Sequence, residues 1–303
     1  MDEAKKVLQS QLGEGLKIVE PLGKYTTLGI GGAADFFFEA KTEDDLRRAT
    51  AAANAAKVPF FILGSGSSVL ISDAGFHGLV IRNLYEGIKE SPTEVPIKVE
   101  VEVNSGTSLA KLVRYTLENN FSGLEELAGF PGTVGGAIVW NAGGNGTRIS
   151  QNLVSLKIID IIGQTRTIPK SDAGFDYMTS RFLGREEVIL SAKFDLIRSD
   201  AGTTGSNVTK AIASRADKPK NPQTLEVFKY LAGESPERFI QAVGLSGHRV
   251  GGAQFMAESA NHIQNLGHAT AENVVELVQL AKEKVKAKYY TELKESFLYL
   301  GPF

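Results

Sequence analysis

The residues best suited to chemistry lie between Leu127 and Ser150, LAGFPGTVGGAIVWNAGGNGTRIS, a stretch with seven glycines among twenty-four residues. Glycine tolerates positive φ and lets the backbone approach a ligand, and such a density is entropically costly unless something uses it. Successive N–H groups without a Cβ in the way can converge on an anion, as they do in nests and at helix N-termini, and a pyrophosphate suits such a cradle. The bland alternative is a loop with two tight turns. The apolar Ile138, Val139 and Trp140, followed by the amide of Asn141, favour the ligand reading. A second run of small residues, Gly64-Ser65-Gly66-Ser67-Ser68, follows an apolar stretch as a phosphate loop would. It has neither the GxGxxG of a dinucleotide turn nor the GK[ST] of a Walker loop, so a dinucleotide would be held another way.

Other chemistries find little support. His77, His248, His262 and His268 have no metal-ligand spacing, so no metal site is expected, and there is no GxSxG nucleophile elbow. Cysteine is absent, which excludes disulfides, thiolate nucleophiles and thiolate metal sites. The 303 residues are 42% apolar and 22% charged with a net charge of −2, the profile of a globular protein with no basic footprint for nucleic acid. The first residues, MDEAKKVLQSQLGEG, lack the apolar core of a signal peptide, and no apolar run reaches the roughly 18 to 20 residues a membrane span needs. A cytoplasmic protein with a small-molecule substrate is expected, and the oligomeric state is left open.

The elements that must position these loops are mixed. Residues 1–20 read as a short helix and connector, and residues 34–39 as an aromatic strand. Thr42 with Glu43, Asp44 and Asp45 opens a helix to about Ala56, and Val58 to Leu63 is a buried strand. Alternation at Ile97, Val99, Val101 and Val103 predicts a half-buried strand, and Leu109, Leu112, Val113, Thr116 and Leu117 one face of a helix over 107–119. Residues 152–170 and 187–197 read as strands, Ser199 to Ser206 as a linker, and Thr270 onward as a helix with its apolar stripe at Val274, Leu277, Val278, Ala281 and Val285. Phe297 to Leu300 closes the chain as a strand. The pattern is α+β rather than doubly wound.

Several runs together carry a resemblance. TTLGIGGAADFFFEA (Thr26 to Ala40), LGSGSSVLISDAGFHG (Leu63 to Gly78), GFPGTVGGAIVWNAG (Gly129 to Gly143), GLSGHRVGGAQ (Gly244 to Gln254) and ANHIQNLGHATAENV (Ala260 to Val274) are similar, in that order, to the UDP-N-acetylenolpyruvoylglucosamine reductase (MurB) family. The resemblance implies a two-part FAD-binding domain of the vanillyl-alcohol-oxidase/PCMH type over 1–200, divided at about 78, and a smaller α+β MurB-type substrate domain over 201–303. It implies non-covalent FAD, NADPH as hydride donor and a UDP-sugar substrate whose enolpyruvyl ether is reduced. On the matching motifs, FAD falls to Gly64, Ser65, Gly66, Ser67 and Ser68 and to Pro131, Gly132, Thr133, Gly135, Gly136, Asn141 and Ala142. Gly29 stands where the family usually has Arg.

The family reduces its substrate with an Arg that steadies developing negative charge, a Ser that donates a proton and a Glu acting with it. Carried onto this chain, those positions hold Met178, Glu226 and Ser296, and the Asn after the family's Phe-Lys pair is Tyr230. A one-residue slip would offer Glu295 as the acid, but a slip in a strand turns the side chain to the other face. Arg181, three residues from the Arg position, reads as a surface or structural residue. The catalytic candidates left are Glu226, Lys229 and Tyr177. Glu226 is either a base that supports substrate oxidation or a solvated carboxylate without a role. Divergence to another substrate or reaction is the preferred expectation. The family reaction itself and a non-catalytic flavin-binding role are the alternatives.

Overall fold

The computed structural model describes residues 2–144, 146–216, 218–219, 223–231 and 234–303. The chain forms two compact units, one of Met1–Lys17, Phe37–Gly64 and Leu79–Ala216, the other of Ile18–Phe36, Ser65–Gly78 and Asp217–Phe303.

The first unit is built on an antiparallel sheet of strands Thr165–Pro169, Leu153–Ile159, Val188–Arg198, Lys98–Asn104 and Ile88–Pro92, in that spatial order, with Phe121–Ser122 also beside Val188–Arg198. Val99, Val101 and Val103 alternate inward, with Val101 opposite Phe194 and Val103 opposite Ala192. Ile97, expected to continue that alternation, precedes the strand and is exposed. The helix Leu109–Glu118 presents Leu109, Leu112, Val113 and Thr116 to the core of the same unit. Helix Glu43–Ala56 begins at the expected cap, where the Thr42 hydroxyl accepts from Asp45 N–H and the Asp45 carboxylate accepts from Thr42 N–H. Strand Phe60–Leu63 delivers Gly64, pairing in parallel with the residues from Leu79 to Arg82.

Two expectations fail in this unit. Residues 199–206 are not a linker: they open the helix Ala201–Ala213. Asp200 outweighs the poor propensity of Gly202, Thr203, Thr204 and Gly205 by accepting from both the N–H and the hydroxyl of Thr203, while Ala211 is buried and Val208 packs on the core. Inside the glycine-rich stretch, Val134–Val139 is a short helix, because the Thr133 hydroxyl caps Gly136 N–H and Val134 and Ile138 are fully buried.

The second unit carries the antiparallel sheet Thr224–Glu226, His262–Asn265, Ala253–Phe255, Arg249–Val250. Against it lies the helix Ala271–Tyr289, whose stripe of Val274, Leu277, Val278, Ala281 and Val285 is buried with Leu225, Phe255 and Ile263. The carboxylate of Asp73 accepts from Ala271 and Glu272 N–H at the start of this helix, where the dipole favours an anion. Leu298–Leu300 pairs in parallel with Val69–Ile71. Among the described residues no helix is long and apolar enough to cross a membrane.

Candidate functional site

In the first unit the loop from Pro131 to Ala142 is fixed from both sides. Leu109 N–H donates to the Gly132 carbonyl, Val134 N–H to Thr107 and Gly135 N–H to Ser105, so the short helix starts against the turn before Leu109–Glu118. Gly135 is closely packed: a Cβ there would lie 3.1 Å from Ser105, which would have to give by a few tenths of an ångström. Gly64 approaches the same cap: a Cβ on it would lie 2.7 Å from Thr133 Oγ1. Two of the expected cofactor residues, Gly64 and Thr133, are thus brought into contact. The helix ends at Trp140, and Asn141 takes the left-handed conformation at φ 46°, which Asn tolerates better than most residues.

Asn141 is 5% exposed, and its Nδ2 donates to the Asp176 carbonyl at 3.0 Å. Ser180 Oγ donates to the Val139 carbonyl at 2.8 Å. These two bonds dock the turn of residues 176–179 on the end of the glycine-rich helix, which brings Tyr177 and Met178 beside the loop. Met178 is itself left-handed, at φ 48°. Tyr177 is exposed and lies under the guanidinium of Arg148, 5.4 Å from the ring centroid. Arg181 is occupied elsewhere: it pairs with Glu187 and donates to the Asp172 carbonyl, a structural role.

The second unit holds Ser65 to Ser68 in a closed circuit of hydrogen bonds. Thr27 N–H donates to the Gly66 carbonyl, and the Thr27 hydroxyl lies 3.4 Å from the carbonyls of both Gly66 and Thr224. Thr224 opens the strand that ends at Glu226. Ser296 N–H donates to the Val227 carbonyl and Ser296 Oγ to the Glu226 carbonyl at 2.7 Å, while Leu298 N–H returns to the Ser68 carbonyl. Gly66 has φ 67° and sits so close to Tyr25 that a Cβ would lie 2.2 Å from its carbonyl oxygen. Gly29, at φ 72°, lies beside Gln223 and Asn265, in a conformation where an Arg would be strained.

The side chains expected to carry the chemistry fall on this circuit. Glu226 is half-exposed and paired with Lys218, Nζ to Oε1 at 3.0 Å. Lys229 N–H donates to the Lys294 carbonyl; burial, with the nearby Lys294 charge adding to it, holds the Lys229 ammonium below the usual lysine range. Ser296 is 6% exposed. Its neighbour Glu295 turns to other partners, taking Lys282 at 2.9 Å and the Tyr299 hydroxyl at 3.4 Å. Burial and the Glu295 charge push the Tyr299 phenol well above its ordinary range. Lys218, Thr27, Asp176 and Ser180 escaped the sequence reading, because each acts across tens of residues or from irregular backbone without a period to betray it.

The residues present fit a flavin dinucleotide. The first-unit loop holds a buried acceptor, Asn141 Oδ1, that has no hydrogen-bond partner among the described residues and suits an N–H or O–H of a ligand. The same unit holds Gly64 and Gly135, where an added Cβ would lie 2.7 Å from Thr133 Oγ1 and 3.1 Å from Ser105; the second unit by itself carries the hydroxyls of Ser65, Ser67 and Ser68. Among the described residues no group of three or more His, Asp or Glu could hold a metal ion.

Comparison with known proteins agrees. Residues 34–168 match the model of an FAD binding domain, and residues 218–299 the C-terminal domain of UDP-N-acetylenolpyruvoylglucosamine reductase. Proteins named UDP-N-acetylenolpyruvoylglucosamine reductase from Synechococcus sp. (strain RCC307) and from Listeria monocytogenes are 36% and 31% identical to it. The first match covers 93% of both chains, the second 97% of this chain and 98% of the relative. The crystal structure of the Thermus caldophilus enzyme of that name superimposes with a TM-score of 0.79 at 28% identity, covering 94% of this chain and 98% of that one. The chain belongs to the UDP-N-acetylenolpyruvoylglucosamine reductase family of FAD-dependent oxidoreductases.

Proposed function

We propose that this chain is an FAD-dependent oxidoreductase of its family's type whose proton-transfer residues have been replaced, and that it acts on a substrate, or in a direction, other than reduction of an enolpyruvyl UDP-sugar. FAD is assigned to Gly64 to Ser68 and to Pro131, Gly132, Thr133, Gly135, Gly136, Asn141 and Ala142. When bound, FAD supplies the hydride carrier. A UDP-sugar or similar small molecule, with NADPH as donor in the reductive direction and a cytoplasmic site of action, completes the reading.

The observation that carries it is the hydrogen bond from Ser296 Oγ to the Glu226 carbonyl. Positions 226 and 296, matched from motifs far apart in sequence, meet in space, which supports the matching itself. With the matching accepted, the family's proton-donating hydroxyl is a carboxylate, its carboxylate is a hydroxyl already donated inward, and its Arg is Met178. Hydride addition to an alkene leaves a carbanion that must be stabilised and then protonated, and these three side chains offer neither a cation nor an available donor hydroxyl.

The same contact favours a second reading. A Ser and a Glu are both present, exchanged between two touching positions, so the family reaction itself is the alternative. Anaerobic stopped-flow absorbance separates the two. NADPH is mixed with the flavoprotein first, then UDP-N-acetylglucosamine enolpyruvate. Flavin that NADPH bleaches and that substrate restores at catalytic rates would establish the family reaction and refute the divergence. Flavin that the substrate leaves reduced supports divergence, and protein that takes up no FAD refutes both.

A further inference from the structure

In the first unit Arg148 stands just after the glycine-rich loop, and its backbone is fixed there. Ile149 N–H donates to the Ala142 carbonyl at 2.8 Å and Gln151 N–H to the Arg148 carbonyl at 2.9 Å. Gly143 lies so close that a Cβ on it would be 2.7 Å from Arg148 Cα. The side chain is half-buried over the ring of Tyr177, and Tyr177 belongs to the turn that Asn141 and Ser180 dock on the loop. The guanidinium is thus held beside the turn that carries Met178.

Little of that guanidinium is used by the protein. The group is a fork of N–H donors with no acceptor and a permanent charge. Among the described residues it makes one hydrogen bond, from Nη1 to the carbonyl of its neighbour Thr147 at 3.0 Å, and no ion pair. Asp176, the acid of the docked turn, is turned onto Tyr177 N–H at 2.7 Å. Arg181 and Arg215 are committed elsewhere, the first to Glu187, the second to the carbonyls of Ala211 and Glu126 and to the face of Phe130.

The position along the loop says which part of a dinucleotide this cation meets. The glycines and Thr133 that suit a pyrophosphate gather at the start of the helix Val134–Val139, whose length spans ~9 Å. Arg148 is bonded to the residues at its other end. There the loop offers Asn141 Oδ1, an acceptor that a phosphate oxygen cannot satisfy and that an N–H of the flavin ring or a ribityl O–H can.

We propose that Arg148 is the cation of the flavin ring in this protein, facing the negative charge that reduction places there, with Tyr177 as the positioning residue that holds the guanidinium. The inference rests on FAD being bound by the loop of residues 131–142. Hydride transfer delivers two electrons and one proton, so the ring gains one negative charge unless it takes a second proton from solvent. Arg148 keeps its own charge at any accessible pH, and in a half-buried place that charge acts more strongly on an anion than it does in water. The flavin is then held more tightly reduced than oxidised, although position 178 offers no cation. Groups that hold the pyrophosphate cannot do this, because the phosphates carry the same charge in both redox states.

The test is the midpoint potential of the bound flavin, measured on FAD-loaded protein by slow anaerobic reduction against a reference dye, which needs no substrate. Titration of the FAD-free protein with oxidised FAD accompanies it. R148M is expected to bind reduced FAD about tenfold more weakly relative to oxidised FAD, as for the loss of one close charge. For a two-electron couple that lowers the potential by about 30 mV. R148K should keep most of the potential, and Y177L should lose part of it with the arginine still present. K170M removes another cation of the same unit, one bonded to the Gln151 carbonyl, and should leave the potential unchanged. An unchanged potential in R148M overturns the proposal, and so does an equal shift in K170M. Equal weakening of oxidised and reduced FAD in R148M also overturns it, by giving Arg148 to the pyrophosphate. Wild-type protein that takes up no FAD refutes the flavin site itself, and the inference falls with it.

Discussion

Ser296 donates its hydroxyl to the main-chain carbonyl of Glu226 at 2.7 Å, so the last segment of the chain is tied to the strand whose Glu226 pairs with Lys218. The donor is 6% exposed, and removing it leaves the carbonyl without that partner in a place water reaches poorly. S296A is therefore expected to lower unfolding stability by about 1–2 kcal/mol, the cost of a buried unmet acceptor. S296E, which puts back the family's residue type, should cost more than S296A: both lose the donor, and only the carboxylate also buries a charge against the carbonyl oxygen. Urea unfolding of the FAD-free proteins checks the order, and S296E as stable as wild type would contradict it.

The Lys218 and Glu226 pair predicts a pH dependence of definite sign. The folded value of Lys218 lies above its unfolded one, so the pair's contribution is complete at neutral pH and is lost as pH rises through the folded value. Both side chains are about one third exposed, which keeps the contribution to about 0.5–1 kcal/mol. Urea unfolding should place E226Q below wild type by that amount near neutrality, with the gap closing only above pH ~10.4, the unperturbed lysine value. A gap that closed between neutrality and pH ~9 would show that Lys218 is not the partner that matters.

Gly64 and Thr133 predict a non-additive pair. A Cβ at position 64 would sit 2.7 Å from Thr133 Oγ1, the atom that caps Gly136 N–H. G64A should displace the cap and cost about 1–3 kcal/mol, while T133A alone should cost about 1 kcal/mol for the lost cap. The double variant should cost less than the sum, since T133A removes the atom G64A collides with. Thermal unfolding of the four proteins supplies the cycle, and strict additivity would mean the two residues do not touch.

Legibility in the sequence followed periodicity and local chemistry. The cap at Thr42 and the stripe from Val274 to Val285 each sit within a few residues of what they stabilise, so the residue pattern reveals them. The helix Ala201–Ala213 hid because Gly202, Thr203, Thr204 and Gly205 look like a linker, and one side chain, Asp200, overrides four weak propensities. The glycine-rich helix hid for the same reason behind Thr133. The loops at Gly64 and Gly132 read as ligand loops from their composition, and what the fold adds is the close approach of Gly64 to Thr133. The grouping of Lys218 with Glu226 and Tyr230 was not legible, because Glu226 and Tyr230 look like two separate losses until the fold brings Lys218 to both.

Asn141 gives the sharpest test of the cofactor loop, because its two amide atoms have different work. Nδ2 holds the 176–179 turn through the Asp176 carbonyl, and Oδ1 is buried without a partner among the described residues. Asn141 also has φ 46°, where Ala is strained and Gly is not, so N141G separates the side chain from the backbone. N141G should destabilise the FAD-free protein by about 1–3 kcal/mol through the unmet Asp176 carbonyl, and N141A by about 1 kcal/mol more. FAD raises the stability of the wild type by mass action on the folded state. If Oδ1 accepts from the bound flavin, that increment must shrink in both variants by about the same amount, on the order of 1 kcal/mol. Thermal unfolding with and without excess FAD measures both quantities on one sample. An increment equal to wild type in both variants would make Asn141 a brace for the turn and leave Oδ1 without a flavin partner. A reduced increment in N141A alone would assign the loss to backbone strain, since only the alanine variant carries it.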